Sequence, residues 1–350
     1  MDLNECLERA VEANASDIFV GANRMVSFKV NDYFIQQGDM PLSSDDVEKI
    51  VIDLYKTAGR SMERFQKTGD DDFSMPVKGL ARFRVNALRQ RGTLAAVIRV
   101  VPINVPDFSE LRIPDEIMGI ASVKHGLVLV TGPAGSGKTT TLACILDRVN
   151  KSRNCHIITL EDPIEYLHKD DKSIFNQREV SIDTESYIAA LRASLRQAPN
   201  IILLGEMRDL ETIRTAMTAA ETGHLVISTL HTSGAVNTLN RIIDIFPPDQ
   251  QHQIRVQLSA VLKTVVSQLL LPGVSGGLVP AFEIMHVNSA IRTLIREGKN
   301  HQIDTIIETM SSEGMVSMGE SVSKLLKDGL ITRKTVVDYE LSWWEDGESR

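Results

Sequence analysis

The chain has 350 residues, 43% hydrophobic and 24% charged, an ordinary balance for a soluble globular protein with room for roughly two domains. Its formal net charge of −8 argues against a general nucleic-acid binder, whose affinity rests on lysine and arginine. Cys6, Cys144 and Cys155 are scattered without any CxxC spacing, which excludes a thiolate zinc centre and fits reduced, structural thiols.

The first residues, "MDLNECLERAVEANASDIF", are acidic and patterned, unlike a secretion signal. No apolar stretch reaches the roughly 18 residues needed to span a bilayer, so the cytoplasm is the expected compartment. Residues 1–100 read as a small α+β domain. The stretch "SSDDVEKIVIDLYKTA" predicts a helix capped by Ser43 or Ser44, with Val47, Ile50, Val51 and Leu54 at helical spacing. The runs "MVSFKV", "GLARFRVNAL" and "LAAVIRVV" read as strands. Three prolines in "VPINVPDFSELRIPDE" then interrupt every pattern, which makes residues 101–114 a linker or hinge.

Over residues 115–350 the texture changes. The apolar runs "GLVLVT", "HIITL", "NIILLG" and "HLVIST" alternate with helix-like segments, which predicts an α/β domain with a parallel sheet covered on both faces and ligands at the strands' carboxyl ends. Beyond residue 250 the chain reads as mainly helical, including "VQLSAVLKTVVSQLLL", with one strand at "LVPAFEIM".

Residues 131–141, "TGPAGSGKTTT", complete GxxxxGK[ST] between a strand and a helical segment. The phosphate cradle expected here comprises Gly132, Pro133, Ala134, Gly135, Ser136, Gly137, Lys138, Thr139 and Thr140. Its glycines let backbone N–H groups and a helix N-terminus face the phosphates, Lys138 supplies a point charge and the Thr139 hydroxyl can ligate Mg²⁺. No N/TKxD element is found, which favours ATP over GTP. The site also needs a metal-organising acid and a water-orienting group. Glu206 follows the strand in "NIILLGEMRD", and Glu161, Asp162 and Glu165 follow the strand in "HIITLEDPIEY". His231 closes "HLVISTLHT" and is a candidate sensor of the terminal phosphate, whereas His125, His156 and His301 read as structural. The glycine pair in "VSGGL" comes after the Walker-B strand, which argues against a transporter ATPase of the ABC type.

Together, "GPAGSGKTTT", "TLEDPIEY" and "GEMRDLETIRTAMTAAETGHLVISTLHT" resemble the secretion-type ATPases that drive type II secretion and type IV pili. The resemblance runs from "GLARFRVNAL" to "GLITRKTV". The stretch "AIRTLIREGK" looks like an element typical of pilus-retraction members, and neither the tetracysteine zinc insert nor the extra amino-terminal domains of assembly and secretion members can be fitted. The resemblance implies a PAS-like amino-terminal domain joined to a RecA-like P-loop ATPase domain. It implies ATP and Mg²⁺ as cofactors, and a homohexameric ring at the inner face of the cytoplasmic membrane, beside a platform protein of that membrane and without nucleic acid. It assigns Glu165 as catalytic glutamate, Glu206 as the acid near Mg²⁺, His231 to the His box, and Arg84 and Arg99 as amino-terminal arginines that reach the phosphates as the domains close. The activity implied is pilus retraction, and hence twitching motility, driven by nucleotide-dependent domain closure. A RecA-like nucleic-acid translocase and a noncatalytic nucleotide-binding helper of another pilus motor are the alternatives.

The chain departs from the family pattern in three places. "SDIFV" stands for SDLHL and loses a histidine, "LRQAPN" stands for LRxDPD and loses two acids, and "YELSWWEDGESR" is an unusual tail carrying Trp343 and Trp344.

Overall fold

Alternation along Ala81–Gln90 sends Ala81, Phe83, Val85 and Ala87 into a core and leaves Arg82, Arg84 and Asn86 on the opposite face of a sheet. This strand belongs to the first of two units in the computed structural model, which describes residues 2–30, 33–101 and 105–339. The first unit spans Met1–Asn104 together with Glu165–Leu167. In chain order it holds α1 (Leu3–Glu12), β1 (Asp17–Gly21), β2 (Val26–Val30), β3 (Tyr33–Gln37), α2 (Ser44–Thr57), α3 (Glu63–Thr68), β4 (Asp70–Val77), β5 (Ala81–Gln90) and β6 (Thr93–Val101).

These strands pair antiparallel in the order β3-β2-β1-β6-β5-β4. Helix α2 begins at a capping box: Ser43 Oγ accepts the Asp46 N–H at 3.2 Å while the Asp46 carboxylate accepts the Ser43 N–H at 3.0 Å. Val47, Val51 and Leu54 on its inner face are buried with Ile18, Phe28, Phe83 and Ile98, each burial contributing about 1.5–3 kcal/mol. One core-facing position is an acid. Asp71 on β4 is buried, and its carboxylate accepts from Tyr55 Oη at 3.1 Å and from Arg60 at 2.9 and 3.0 Å.

The second unit spans Val105–Ile164 and continues from His168. It holds α4 (Asp115–Met118), β7 (Gly126–Thr131), α5 (Lys138–Ser152), β8 (His156–Glu161), β9 (Ile174–Glu179), α6 (Tyr187–Ser194), β10 (Ile201–Leu204), α7 (Leu210–Glu221), β11 (Leu225–Leu230), α8 (Ala235–Asp244), α9 (Pro248–Val261), β12 (Leu262–Pro272), β13 (Leu278–His286), α10 (Ser289–Glu297), α11 (Ile303–Thr309), α12 (Met318–Lys327) and α13 (Arg333–Asp338). The sheet order is β13-β12-β7-β11-β10-β8-β9, parallel throughout except for β13. Alternate residues of each central strand serve two cores. Leu127, Leu129, Ile202 and Leu204 pack on one face, and Val128, Val130, Ile201 and Leu203 on the other. That double burial is why these strands read as unbroken apolar runs.

The helix expected over "VQLSAVLKTVVSQLLL" is half correct. Helix α9 ends at Val261, and Leu262–Pro272 is a strand that pairs parallel with β7 and antiparallel with β13. A short apolar run carries no period that separates buried helix from buried strand, and here the open edge of β7 takes it. Among the described residues no helix is long and apolar enough to cross a membrane. Trp343 and Trp344 lie outside the described residues, as do 102–104 of the proline-containing segment.

Candidate functional site

The register of the parallel sheet decides which loops meet. Thr131 at the end of β7 pairs with Leu230 of β11, Ser228 of β11 with Leu204 of β10, and Leu204 with Leu160 of β8. Four carboxyl ends therefore lie side by side, and from them issue the glycine loop, His231, Glu206 and the pair Glu161–Asp162. Adjacent strands are about 4.8 Å apart, so the ends of β7 and β10, with β11 between them, are about 10 Å apart.

The glycine loop is tightly specified. Gly132 has φ +142°, and a Cβ there would stand 2.2 Å from Gln268 O and 2.7 Å from Ser136 Oγ, so nothing but glycine fits. Gly137, φ +83°, is the N-cap of α5 and turns the chain into the helix. Lys138 is buried, and its Nζ donates to Gly132 O at 2.9 Å and Pro133 O at 2.8 Å. Ser136 Oγ is buried and, among the described residues, has no hydrogen-bond partner. An orphaned hydroxyl in a loop headed by a helix N-terminus suits an anion's oxygen. Pro133, Ala134 and Gly135 are exposed at the loop's tip, while Thr139 and Thr140 are half-buried on the first turn of α5. Beside them lies a cavity of about 260 Å³ lined by Arg112, Gly137, Thr140, Thr141, Gln268 and Leu270. Gln268 closes the base of the loop, its Oε1 accepting from Thr141 Oγ1 at 2.8 Å.

Glu206 and His231 share a second cavity, of about 370 Å³, with Arg208, Thr229, Thr232 and Arg241. Glu206 Oε1 pairs with the Arg208 guanidinium at 2.5 Å, and its Oε2 is 3.6 Å from His231 Nε2. The Glu206 side chain is only 12% exposed whereas Arg208 is 70% exposed, so the acid is fixed and its cation is free to swing out. The Glu206 carboxylate holds the Arg208 guanidinium above its ordinary proton affinity. Glu161 turns into the sheet instead: it is buried and accepts from Thr159 Oγ1 at 2.6 Å and Gln177 Nε2 at 3.3 Å. Asp162 stays exposed, and the backbone beyond it is pinned where Ile164 N–H donates to buried Glu179 at 3.2 Å.

The remaining expected site residues belong to the first unit. Glu165 is exposed. Arg84 and Arg99 are direct cross-strand partners on β5 and β6, on the face away from the core. Like charges placed opposite one another destabilise a sheet. The cost is partly relieved by Asp17, the next residue in the same row, which accepts from Arg99 Nε at 3.0 Å. The Arg84 guanidinium is 4.0 Å from Asp72.

His156 is structural as expected, with Nε2 2.7 Å from Asn176 Oδ1 and Nδ1 3.1 Å from Gln197 O. The three cysteines are free and buried, and burial pushes the Cys6 and Cys144 thiols up to about 11. Sequence reasoning gave no role to Arg208, although "GEMRD" displays it two residues from Glu206. It also missed Gln268, which lies in the segment read as helix.

The family described as "Type II/IV secretion system protein" matches residues 1–277. The "Type IV pilus retractation ATPase PilT" of Pseudomonas aeruginosa is 43% identical over 334 residues, 95% of this chain and 96% of that protein. The "Twitching motility protein" of Neisseria gonorrhoeae is 44% identical over 291 residues, 83% of this chain and 77% of that protein. A crystal structure of "the Pilus Retraction Motor PilT and Bound ADP" superposes with a TM-score of 0.90 at 43% identity, covering 97% of this chain and 96% of that one.

Proposed function

The chain belongs to the type II/IV secretion system protein family, and on that footing we propose that it is an ATP-hydrolysing motor that powers type IV pilus retraction and so twitching motility. The observation that carries this reading is the row of strand ends: phosphate loop, His231 and Glu206 issue from three adjacent parallel strands. An ATPase needs this set, with donors for the phosphates, an acid beside them and a group that responds to the terminal phosphoryl.

The loop's own chemistry supports nucleotide binding. Lys138 exchanges the Gly132 and Pro133 carbonyls for phosphate oxygens, and the buried Ser136 hydroxyl gains the partner it lacks. The Mg²⁺ that travels with ATP would be held by the Thr139 hydroxyl and the Glu206 carboxylate, hard oxygen donors that suit it, and it would screen the phosphate charge. Glu206 is freed for that role as exposed Arg208 swings away.

Glu165 orients the attacking water, and Arg84 and Arg99 reach the phosphates when the amino-terminal unit closes on a hinge at 101–114. The paired arginines support this role, because a like-charge pair on an outer sheet face costs stability and gains a purpose once an anion lies against it. Six copies form a ring at the inner face of the cytoplasmic membrane, against a platform protein of that membrane. Domain closure around a ligand converts local charge contacts into displacement, and a head-to-tail interface that closes yields a ring. Deletion of the gene tests the direction of work. Cells with excess pili and no twitching are the expected outcome; bald cells would assign the motor to assembly.

A further inference from the structure

The His231 side chain is 56% exposed, so its place beside Glu206 is set mainly by the backbone of the loop 231–234, between β11 and α8. Gly234, the N-cap of α8, has φ +84° and brings no side chain to cap the helix. The backbone donors there are answered from other strands: Gly234 N–H donates to Ser267 Oγ at 2.9 Å, and Ala235 N–H donates to Glu283 Oε1 at 2.7 Å. Ser267 on β12 and Glu283 on β13 are direct cross-strand partners. On its other side Ser267 pairs with Thr131, and Thr131 with Leu230. One row of the sheet therefore runs from the residue before His231, through the residue before Gly132, to Glu283. The other end of the loop is tied as well, with Thr232 Oγ1 2.8 Å from Oγ1 of buried Thr238, one turn into α8. Burial pushes the Glu283 carboxyl up from its ordinary range, and the Ala235 N–H draws it back.

We propose that Glu283 is a positioning residue for ATP hydrolysis: from β13 it anchors the N-terminus of α8 and so holds His231 within reach of Glu206 and the terminal phosphate. Its row lies three strand spacings from β11, about 14 Å, so it acts through the loop and not on the nucleotide. A solvent-facing side chain that takes its place from its loop moves when the loop's anchor is lost, and small misplacements of a reacting group are costly. The inference rests on the role given to His231 in the ATPase reading.

The test is a double-mutant cycle on steady-state ATP hydrolysis by the full chain, with wild type, Glu283→Ala, His231→Ala and the double variant. Glu283→Ala should lower kcat about tenfold, with affinity for a fluorescent ATP analogue near wild type. Once His231 is already alanine, the same substitution should lower kcat less than about twofold, whereas lost packing alone would act alike in both backgrounds. Glu283→Gln keeps an oxygen acceptor for the Ala235 N–H and should recover most of the loss. Equal factors in the two backgrounds overturn the proposal, as does an unchanged kcat in Glu283→Ala or a glutamine variant as slow as the alanine one. If Glu283→Ala does not fold, Ser267→Ala, which frees the Gly234 N–H, takes its place in the cycle with the same expectation. Wild-type rates from His231→Ala itself would mean that the histidine's role has failed and this one with it; a slowed His231→Ala protein that Glu283→Ala slows further by its full factor overturns this one alone.

Discussion

Nε2 of His231 lies 3.6 Å from Oε2 of Glu206, across the ends of two neighbouring parallel strands. The acid is held on its other oxygen by Arg208, so the imidazole is the movable member of the pair, 56% exposed against 12% for Glu206. A nucleotide that draws Glu206 toward its cation leaves His231 free to donate to the terminal phosphate. His231→Ala should then lower kcat about 10- to 100-fold, the worth of a hydrogen bond to a charged group. His231→Gln keeps a donor and should recover part of that loss; equal rates for the two variants would remove the donor role.

Arg84 and Arg99 face each other across β5 and β6, but their deletions should differ in stability. Arg84→Ala relieves like-charge repulsion and should leave stability unchanged or raised by up to about 1 kcal/mol. Arg99→Ala strips buried Asp17 of its cation, leaving it the Ser16 hydroxyl at 2.9 Å, and should cost about 1–3 kcal/mol. Both should slow hydrolysis, by about 10³-fold if they meet developing phosphate charge. Urea midpoints and steady-state rates measured together separate the two effects.

Two glycines of the phosphate loop should respond unequally to a methyl group. At Gly132 a Cβ meets the Gln268 carbonyl at 2.2 Å, and alanine should cost about 2–4 kcal/mol and abolish nucleotide binding. Gly135 has φ +76° but open space, so Gly135→Ala should cost only about 1–2 kcal/mol. Similar losses at both positions would mean that the loop is looser than its contacts with Gln268 imply.

The acid side of the stability profile should carry the mark of His168. Its ring stacks on Phe175 with centroids 4.6 Å apart, and burial lowers its pKa from the usual 6.5 to about 4. The unfolded chain binds this proton and the folded chain does not until pH 4. Stability is therefore complete above about pH 6.5 and falls as pH drops toward 4, by on the order of 2 kcal/mol. His168→Phe should flatten that limb in urea titrations at pH 4.5–7; an unchanged slope would place the ring in contact with water.

Those parts of the fold and site that depend on neighbours in the chain were legible in the sequence. The loop from Gly132 to Thr139 announces itself because each residue answers a local demand, and the α2 helix because Ser43 and its apolar period lie within one stretch. Strand β4 stayed hidden because its inward position 71 is an aspartate, tolerable only through Tyr55 and Arg60. Strand β12 was read as helix because its identity is decided by β7, more than 130 residues earlier. The opposition of Arg84 and Arg99 depends on strand register, which no local pattern encodes.

The motor reading is tested most directly by steady-state ATP hydrolysis of the purified full chain beside its Glu206→Gln variant, with binding of a fluorescent ATP analogue followed on both. Turnover by the wild-type protein, at least about 10²-fold slower in the variant, is the result expected when the carboxylate that organises the nucleotide's Mg²⁺ loses its charge. Equal turnover by the two proteins would contradict it.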